Sequence, residues 1–90
     1  MPYNLIITAR ADKSIKKIPK KDRARVWATI YSLADEPIQP SKTVKMKGDS
    51  GEVLYRIRQG NYRIIYKVEH HTVTVVVTKV AHRKNVYDNM

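Results

Sequence analysis

The chain has no cysteine, no phenylalanine and only three glycines among its 90 residues. The absence of cysteine excludes a disulfide scaffold and every Cys-ligated metal site. Three glycines are too few for a glycine-rich phosphate loop or a dinucleotide-binding fingerprint. No apolar run approaches the ~20 residues of a membrane span, and the apolar patch at residues 5–7 is too short for a secretory signal. We therefore predict one cytoplasmic domain, residues 1–90, with no membrane partner.

Acidic residues are also scarce, with 8 Asp and Glu against 18 Lys and Arg. Metal-dependent phosphodiester chemistry needs clustered carboxylates. The acids here are scattered along the chain, without a D-x-D or E-x-K arrangement: Asp12, Asp22, Asp35, Glu36, Asp49, Glu52, Glu69 and Asp88. The sequence therefore predicts neither a metal site nor a cofactor.

What is abundant is positive charge, with a net charge of +10 that indicates a polyanion as partner. Basic residues are densest in residues 10–25. They are Arg10, Lys13, Lys16, Lys17, Lys20, Lys21, Arg23 and Arg25. A charge run on helices is either a solvated face or a surface for direct phosphate contacts, and both interpretations stay open here.

Hydrophobic periodicity predicts an α+β fold of the order β-α-α-β-β-β. We expect a small, antiparallel-rich sheet of about four strands, with two N-terminal helices packed on one face. The predicted helices are residues 9–18 and 20–34. The predicted strands are residues 3–8, 53–59, 62–69 and 72–80, with a further short strand at 44–47. Residues 83–90 are expected to form one helical turn or to be irregular.

The pair Gly60-Asn61 is suited to a two-residue hairpin turn between the strands 53–59 and 62–69. Because side chains alternate across a sheet, this register puts three arginines on one face, called the arginine face below. They are Arg56, Arg58 and Arg63. A second two-residue turn at residues 70–71 would add Val73, Val75 and Val77 to the opposite, apolar face, and Lys67, Thr74 and Thr78 to the arginine face. The arginines either solvate an outer surface or bind phosphate through their planar forks.

Metal-free RNA cleavage needs a base, an acid and cations that stabilise charge on phosphorus. The residues available for proton transfer are His70, His71, His82 and Tyr87. The first two are expected in a turn, where a catalytic role is disfavoured. His82 follows the last predicted strand and is expected near the arginine face.

Two motifs resemble those of a known family. Residues 60–66, GNYRIIY, match a G-x-Y-R-[hydrophobic]2-Y pattern, and residues 82–87, HRKNVY, match H-R-x3-Y. In this order, after two basic helices, the chain resembles the RelE/ParE superfamily of toxins, and within it the RelE-like branch.

This resemblance implies a fold like that of microbial ribonucleases and a toxin of a type II toxin-antitoxin system. It implies a metal-free, ribosome-dependent endoribonuclease that enters the ribosomal A site and cleaves mRNA by attack of the 2′-hydroxyl. It also implies a RelB-like antitoxin as partner, with operator DNA bound only through the antitoxin complex. The basic helices are then expected to dock on ribosomal RNA or to pair with the antitoxin. The family's catalytic positions fall on Arg56, Arg58, Arg63, Arg83 and Tyr87.

The chain departs from the best-characterised RelE pattern, which has lysines where Arg56 and Arg58 stand. Arginine does not lose its proton in proteins, so a lysine-type base is missing at these positions. Tyr87 becomes the first choice of base and His82 the second, although Tyr87 could instead stack on a nucleobase. Two alternatives stay open for the function: a ParE-like DNA gyrase inhibitor and a non-enzymatic basic nucleic-acid-binding module.

Overall fold

A computed structural model describes residues 2–84 of the chain. In chain order the elements are β1 (Asn4–Ile7), α1 (Ala9–Lys16), α2 (Lys20–Asp35), β2 (Thr43–Lys47), β3 (Val53–Gln59), β4 (Tyr62–Glu69) and β5 (Thr74–His82). The sheet order is β1-β5-β4-β3-β2; β1 runs parallel to β5, and the other neighbours are antiparallel. The α+β prediction is confirmed. The count of about four strands is wrong, because the short β2 completes a five-stranded sheet by pairing with β3.

Both helices cover the same face of the sheet, as the sequence predicts. On α2, Val26, Ile30 and Leu33 are fully buried, and their i, i+4, i+7 spacing gives the helix one apolar stripe. This stripe joins one core cluster with buried strand residues such as Ile57 and Val77. The opposite face carries Arg56, Arg58 and Arg63.

The start of α1 is fixed by Thr8, which lies in extended backbone conformation just before the helix. Its Oγ1 accepts the N–H of Ala11 at 3.2 Å and donates to the carbonyl oxygen of Thr78 at 3.2 Å. Such an N-cap satisfies a donor that the first helical turn leaves without a partner. The same hydroxyl thus attaches α1 to the middle of β5.

The hairpin of β3 and β4 has the predicted bounds and register. Gln59 pairs with Tyr62 and Arg58 with Arg63. Gly60 has a φ of 58°, while Asn61 is not among the described residues of positive φ. That pattern matches a type II′ turn, whose first central residue is normally glycine. The turn chemistry therefore fixes which side chains of the hairpin share a face.

The predicted length of the turn between β4 and β5 is wrong. Four residues, 70–73, separate the strands instead of two, and Glu69 pairs with Thr74. Val73 was expected on the apolar face, but it lies in the turn with a φ of 50° and is exposed. Two extra residues preserve the alternation of the strand, so Val75 and Val77 do reach the core.

A β-bulge then changes the alternation within β5. Tyr66 pairs with Val77, but Ile65 pairs with Lys79, so Thr78 is an extra residue opposite β4. Thr78 Oγ1 donates to the carbonyl oxygen of Ile65 at 3.2 Å. Beyond the bulge, the buried Val80 faces the helices and Lys79 faces the arginine side.

Within residues 2–84, neither helix is long and apolar enough to cross a membrane. The prediction for residues 83–90 lies largely outside the described residues, as does Tyr87.

Candidate active site

The arginine face forms as the hairpin register predicts. Arg58 pairs with Arg63, and Arg56 pairs with Ile65 on the same side of the sheet. Arg58 is exposed and Arg56 is half-buried, while Arg63 is only 7% exposed. The three guanidinium groups thus lie at graded depth on two adjacent strands. A fixed cluster of permanent charge is a suitable partner for a phosphate group.

Arg63 lies in the middle strand of this site. Its cross-strand neighbours are Arg58 on β3 and Ala81 on β5. Arg63 Nη1 donates to the carbonyl oxygen of Tyr62 at 3.3 Å. Ile65 also lies on this face and is 4% exposed. Arg63 is therefore largely shielded from solvent, where electrostatic interactions are stronger than in water.

Arg83 is joined to the same end of the sheet by a backbone hydrogen bond. Its N–H donates to the carbonyl oxygen of Asn61, in the hairpin turn, at 2.7 Å. This contact continues the pairing of β4 and β5 by one position beyond Tyr62 and His82. Arg83 is exposed and follows Ala81 by two residues, so strand alternation favours the arginine face for it.

His82 lies elsewhere than expected. It is the last residue of β5 and pairs with Tyr62, whose ring packs against the core on the helix side. The two rings are 5.4 Å apart in an edge-to-face arrangement, and His82 Nδ1 accepts the N–H of Lys84 at 3.2 Å. The expectation that His82 lies near the arginine face is thus wrong, because the bulge at Thr78 reverses the alternation that leads to it.

His70 and His71 lie in the turn between β4 and β5, as predicted. His70 Nδ1 is 3.2 Å from the hydroxyl of Tyr3, and the two rings meet edge to face. His71 is exposed. This turn is at the opposite end of β4 from Asn61 and Arg83. His70 and His71 are therefore remote from the arginines at that other end.

A lysine that the sequence reasoning missed also lies on the arginine side. Lys79 pairs with Ile65, and its Nζ is shielded from solvent without a hydrogen-bond partner within residues 2–84. Burial of the ammonium group, and secondly the charge of Arg10, lower the pKa of Lys79 below its usual value. The sequence carries no signal for this position, because the valines at residues 75–77 suit either phase of the strand and the bulge is seen only in the structure.

The basic residues of the helices separate into different roles. Arg23 donates from Nε and Nη2 to the carbonyl oxygen of Ile18, at 3.2 and 3.0 Å, and so holds the turn between α1 and α2. Lys16 forms an exposed ion pair with Asp12 at 3.0 Å. Arg10 lines cavities beside Lys79 at the edge of β5, and Arg25 lines a groove beside β3. Others are solvent-exposed: Lys13, Lys17, Lys20 and Lys21.

In the part of the chain that the structure describes, no three His, Asp or Glu side chains come together as metal ligands. Within residues 2–84, the arginine face therefore offers fixed positive charges. Tyr87 lies outside the described residues.

Comparison with known families identifies the fold. Residues 5–87 match the family model described as the ParE toxin of the type II toxin-antitoxin system parDE. This chain belongs to the RelE/ParE superfamily of type II toxins. Within the superfamily it is RelE-like, as its individual relatives show.

Two RelE-like toxins match over nearly their whole length. RelG of Mycobacterium tuberculosis is 28% identical over 88 residues, which are 97% of this chain and 98% of RelG. RelE1 of Methanocaldococcus jannaschii is 30% identical over 89 residues, or 99% of each chain. The toxin is also similar to the archaeal RelE-RelB complex of Pyrococcus horikoshii, with 28% identity and a TM-score of 0.78 over 92% of this chain and 97% of that one.

Proposed function

We propose that this RelE-like toxin is a ribosome-dependent mRNA endonuclease that works without a metal ion. By cleaving mRNA it inhibits translation in the cytoplasm. The observation that carries the proposal is the shared face of Arg56, Arg58 and Arg63, with Arg83 joined to the adjacent hairpin turn. Cleavage of RNA beside its own 2′-hydroxyl requires no external nucleophile. Four arginines around one phosphate supply the electrostatic part of catalysis.

The reaction follows from these charges. A base takes the proton of the 2′-hydroxyl, O2′ attacks phosphorus to form a 2′,3′-cyclic phosphate, and the bond from phosphorus to O5′ breaks while O5′ takes up a proton from water. Arg63 and Arg83 stabilise the negative charge that develops on the phosphoryl oxygens and on the leaving oxygen. Arg56 and Arg58 orient the phosphate. None of the four guanidinium groups needs to change its protonation state.

Tyr87 is the proposed base, and His82 is the second choice. His82 lies against Tyr62 on the helix side, so it would reach the substrate only around the end of the sheet. Replacing His82 by Gln and Tyr87 by Phe in parallel distinguishes them. We expect the larger loss of cleavage in Tyr87→Phe, and the reverse order would assign the base to His82.

The test of the function is primer extension on mRNA in a translating extract. New 5′ ends should appear with the wild-type toxin and be lost with Arg63→Ala and Arg83→Ala. Lys45→Ala is a matched control, because Lys45 is exposed on β2 and pairs with Tyr55 on the other face. Absence of new ends with the wild type, or equal cutting by Arg63→Ala, would rule the function out.

A RelB-like antitoxin is the proposed protein partner. RelE of Pyrococcus horikoshii, which is similar over 92% of this chain, is in complex with RelB. The +10 charge of the toxin suits an acidic segment of such a partner. We propose that operator DNA is bound only through that complex. Co-expression of the antitoxin should restore growth to cells that the toxin inhibits.

The exposed lysines of α1 and α2 are proposed to dock on ribosomal RNA. Their contribution is electrostatic, so it should weaken steeply as the salt concentration rises. Ribosome co-sedimentation of a variant with Lys13, Lys17 and Lys21 changed to Gln, at two salt concentrations, tests this proposal. Unaltered co-sedimentation would leave these lysines as a solvated surface.

A ParE-like gyrase inhibitor is the second candidate, because the matching family model is described by ParE. A supercoiling assay with purified gyrase separates the candidates. Inhibition of supercoiling without new mRNA 5′ ends would favour the gyrase function, and RNA binding without either activity would favour a binding module.

A further inference from the structure

A groove of about 740 Å³ lies at the edge of β3, on the side of the sheet away from β1. It exists because the pairing of β2 with β3 reaches only to Thr43 and Ile57, so Arg58 and Gln59 extend beyond the first residue of β2. The face of α2 and the loop 37–42 form its other walls. We call it the β3-edge groove; among its lining residues are Arg25, Thr29, Gln39, Lys42, Arg58 and Gln59.

The charge of the β3-edge groove is of one sign. Arg25 enters it from α2, Lys42 from the loop, and Arg56 and Arg58 from β3. No carboxylate belongs to the described residues that line it. A concave surface with cations on three walls concentrates anions from solution. Because Arg56 and Arg58 also belong to the arginine face, the groove is continuous with the proposed cleavage site.

The walls of the groove are held by short hydrogen bonds. Thr29 Oγ1 donates to Gln59 Oε1 at 2.7 Å, which ties α2 to the end of β3. Gln39, which is 8% exposed, donates from Nε2 to Ser32 Oγ at 3.0 Å. The carbonyl oxygen of Gln39 accepts the N–H of Lys42 at 3.0 Å. The backbone of Lys42 is thus held in place in the free toxin, which reduces the conformational entropy lost on binding.

No aromatic ring is found among the described residues that line the groove. Stacking on aromatic rings is the usual way in which proteins hold unpaired bases. Contacts with phosphate, in contrast, fix position and carry no sequence information. The β3-edge groove is therefore built for the charged backbone of a nucleic acid strand and not for its bases.

We propose that the β3-edge groove binds the phosphodiester backbone of single-stranded RNA on one side of the cleaved bond, with Arg25 and Lys42 as its phosphate ligands. This inference rests on the proposed nuclease function and extends it. The RNA passes from the arginine face over the open end of β3, between Arg58 and the loop that carries Lys42. Binding there is independent of the base sequence. It raises the affinity of the toxin for RNA and orients the strand.

The test is the salt dependence of binding to a short RNA oligonucleotide whose 2′-hydroxyls are methylated, which prevents cleavage. Each phosphate contact to a single strand contributes about 0.7 to the slope of log affinity against log salt. We expect Arg25→Gln and Lys42→Gln each to reduce the slope by about that amount, equally for different base sequences. Lys45→Gln, an exposed charge on β2 outside the groove, should leave the slope unchanged.

A second measurement uses the absence of cysteine from the chain. A single cysteine at Ala28, an exposed position on α2 that lines the groove, can carry a short photo-crosslinker. His71→Cys, in the turn at the far end of β4, is the matched control. The oligonucleotide should be captured at position 28 and not at position 71.

Unchanged slopes in both groove variants, an equal change in Lys45→Gln, or no measurable RNA binding by the wild type would overturn the proposal. Weakened antitoxin binding with unaltered RNA binding would also overturn it and would assign the groove to an acidic protein segment. Failure of the nuclease function is distinguishable. In that case Arg63→Ala does not alter mRNA ends, whatever the slopes of Arg25→Gln and Lys42→Gln.

Discussion

Arg58 and Arg63 lie directly opposite each other where β3 pairs with β4, although like charges in this position destabilise a sheet. Arg63 is nearly buried and Arg58 is exposed, so the two guanidinium groups cannot both be fully hydrated. A pairing that opposes folding is consistent with a role in binding, since a phosphate placed between the two groups would offset their repulsion.

We therefore predict that Arg58→Gln stabilises the free toxin while it reduces mRNA cleavage. Removing the like-charge pair should raise the free energy of unfolding by about 0.2–1 kcal/mol at low salt, and by less at high salt, where screening already weakens the repulsion. Urea denaturation at two salt concentrations measures the effect. Lys45→Gln is the control, since Lys45 pairs with Tyr55; an equal gain there would contradict the prediction.

Lys79 leads to a prediction about pH. Its ammonium group is shielded from water, and Arg10 and the acids Asp49 and Glu52 line the cavity beside it. Replacing Lys79 by Met removes a buried charge while keeping a flexible apolar chain. We expect the free energy of unfolding at neutral pH to rise by about 1 kcal/mol.

The sign of the pH dependence follows from the lowered pKa of Lys79. Between that pKa and the usual 10.5, Lys79 binds more protons in the unfolded chain, so its contribution to wild-type stability rises with pH. The advantage of Lys79→Met should therefore shrink as the pH approaches 10.5. Denaturation across this range measures it, with Lys67→Met as control because Lys67 pairs with Glu69 at 3.6 Å. A constant advantage would refute the role of titration.

Residues whose environment is set by the hairpin could be predicted from the sequence. A two-residue Gly-Asn turn and regular alternation fix the register of β3 and β4, and this register places Arg56, Arg58 and Arg63 together. Local chemistry decides these positions, so no knowledge of the rest of the fold is needed.

The register of β5 could not be predicted in the same way. The stretch 73–77 has valine at four of its five positions, so either phase of the strand puts apolar side chains in the core. The bulge at Thr78 is set by the tertiary fit of Val77 and Val80 beneath the helices. That fit decides the faces of Lys79 and His82, and the sequence alone does not show it.

The hydroxyl of Tyr66 gives a prediction about the core. This residue is fully buried, and its hydroxyl donates to the carbonyl oxygen of Pro37 at 2.7 Å and lies 3.1 Å from Thr43 Oγ1. Tyr66→Phe leaves a buried acceptor without its donor and should lower the free energy of unfolding by about 1–3 kcal/mol. The ring of Tyr55 lies beside that of Tyr66, and Tyr55→Phe should lower the free energy of unfolding by less.

The same residue makes the fold sensitive to alkali. Burial, as the largest effect, raises the pKa of Tyr66 above 10.0. Above pH 10.0 the folded chain retains a proton that the unfolded chain loses, so wild-type stability should fall with rising pH. Tyr66→Phe should lack this component of the decline. Parallel curves for the two proteins in alkaline denaturation would contradict it.

Arg23 has a structural role, unlike the exposed basic residues around it. The sequence places it among the basic residues expected to bind RNA, but its guanidinium group donates twice to the carbonyl oxygen of Ile18 and so joins the end of α1 to α2. Hydrogen bonds from a charged group contribute about 1.5–3 kcal/mol when well formed, and partial exposure reduces this. We expect Arg23→Gln to lower the free energy of unfolding by about 1 kcal/mol.

Lys21→Gln is the matched control for Arg23→Gln, because it removes the same charge from an exposed position two residues away on α2. Thermal unfolding should separate the two variants, with a lower midpoint only in Arg23→Gln. Ribosome binding, measured below both midpoints, should respond to the lost charge in either variant. Equal stability of the two variants would contradict the structural role of Arg23, since its contacts with Ile18 would then contribute nothing to the stability of the fold.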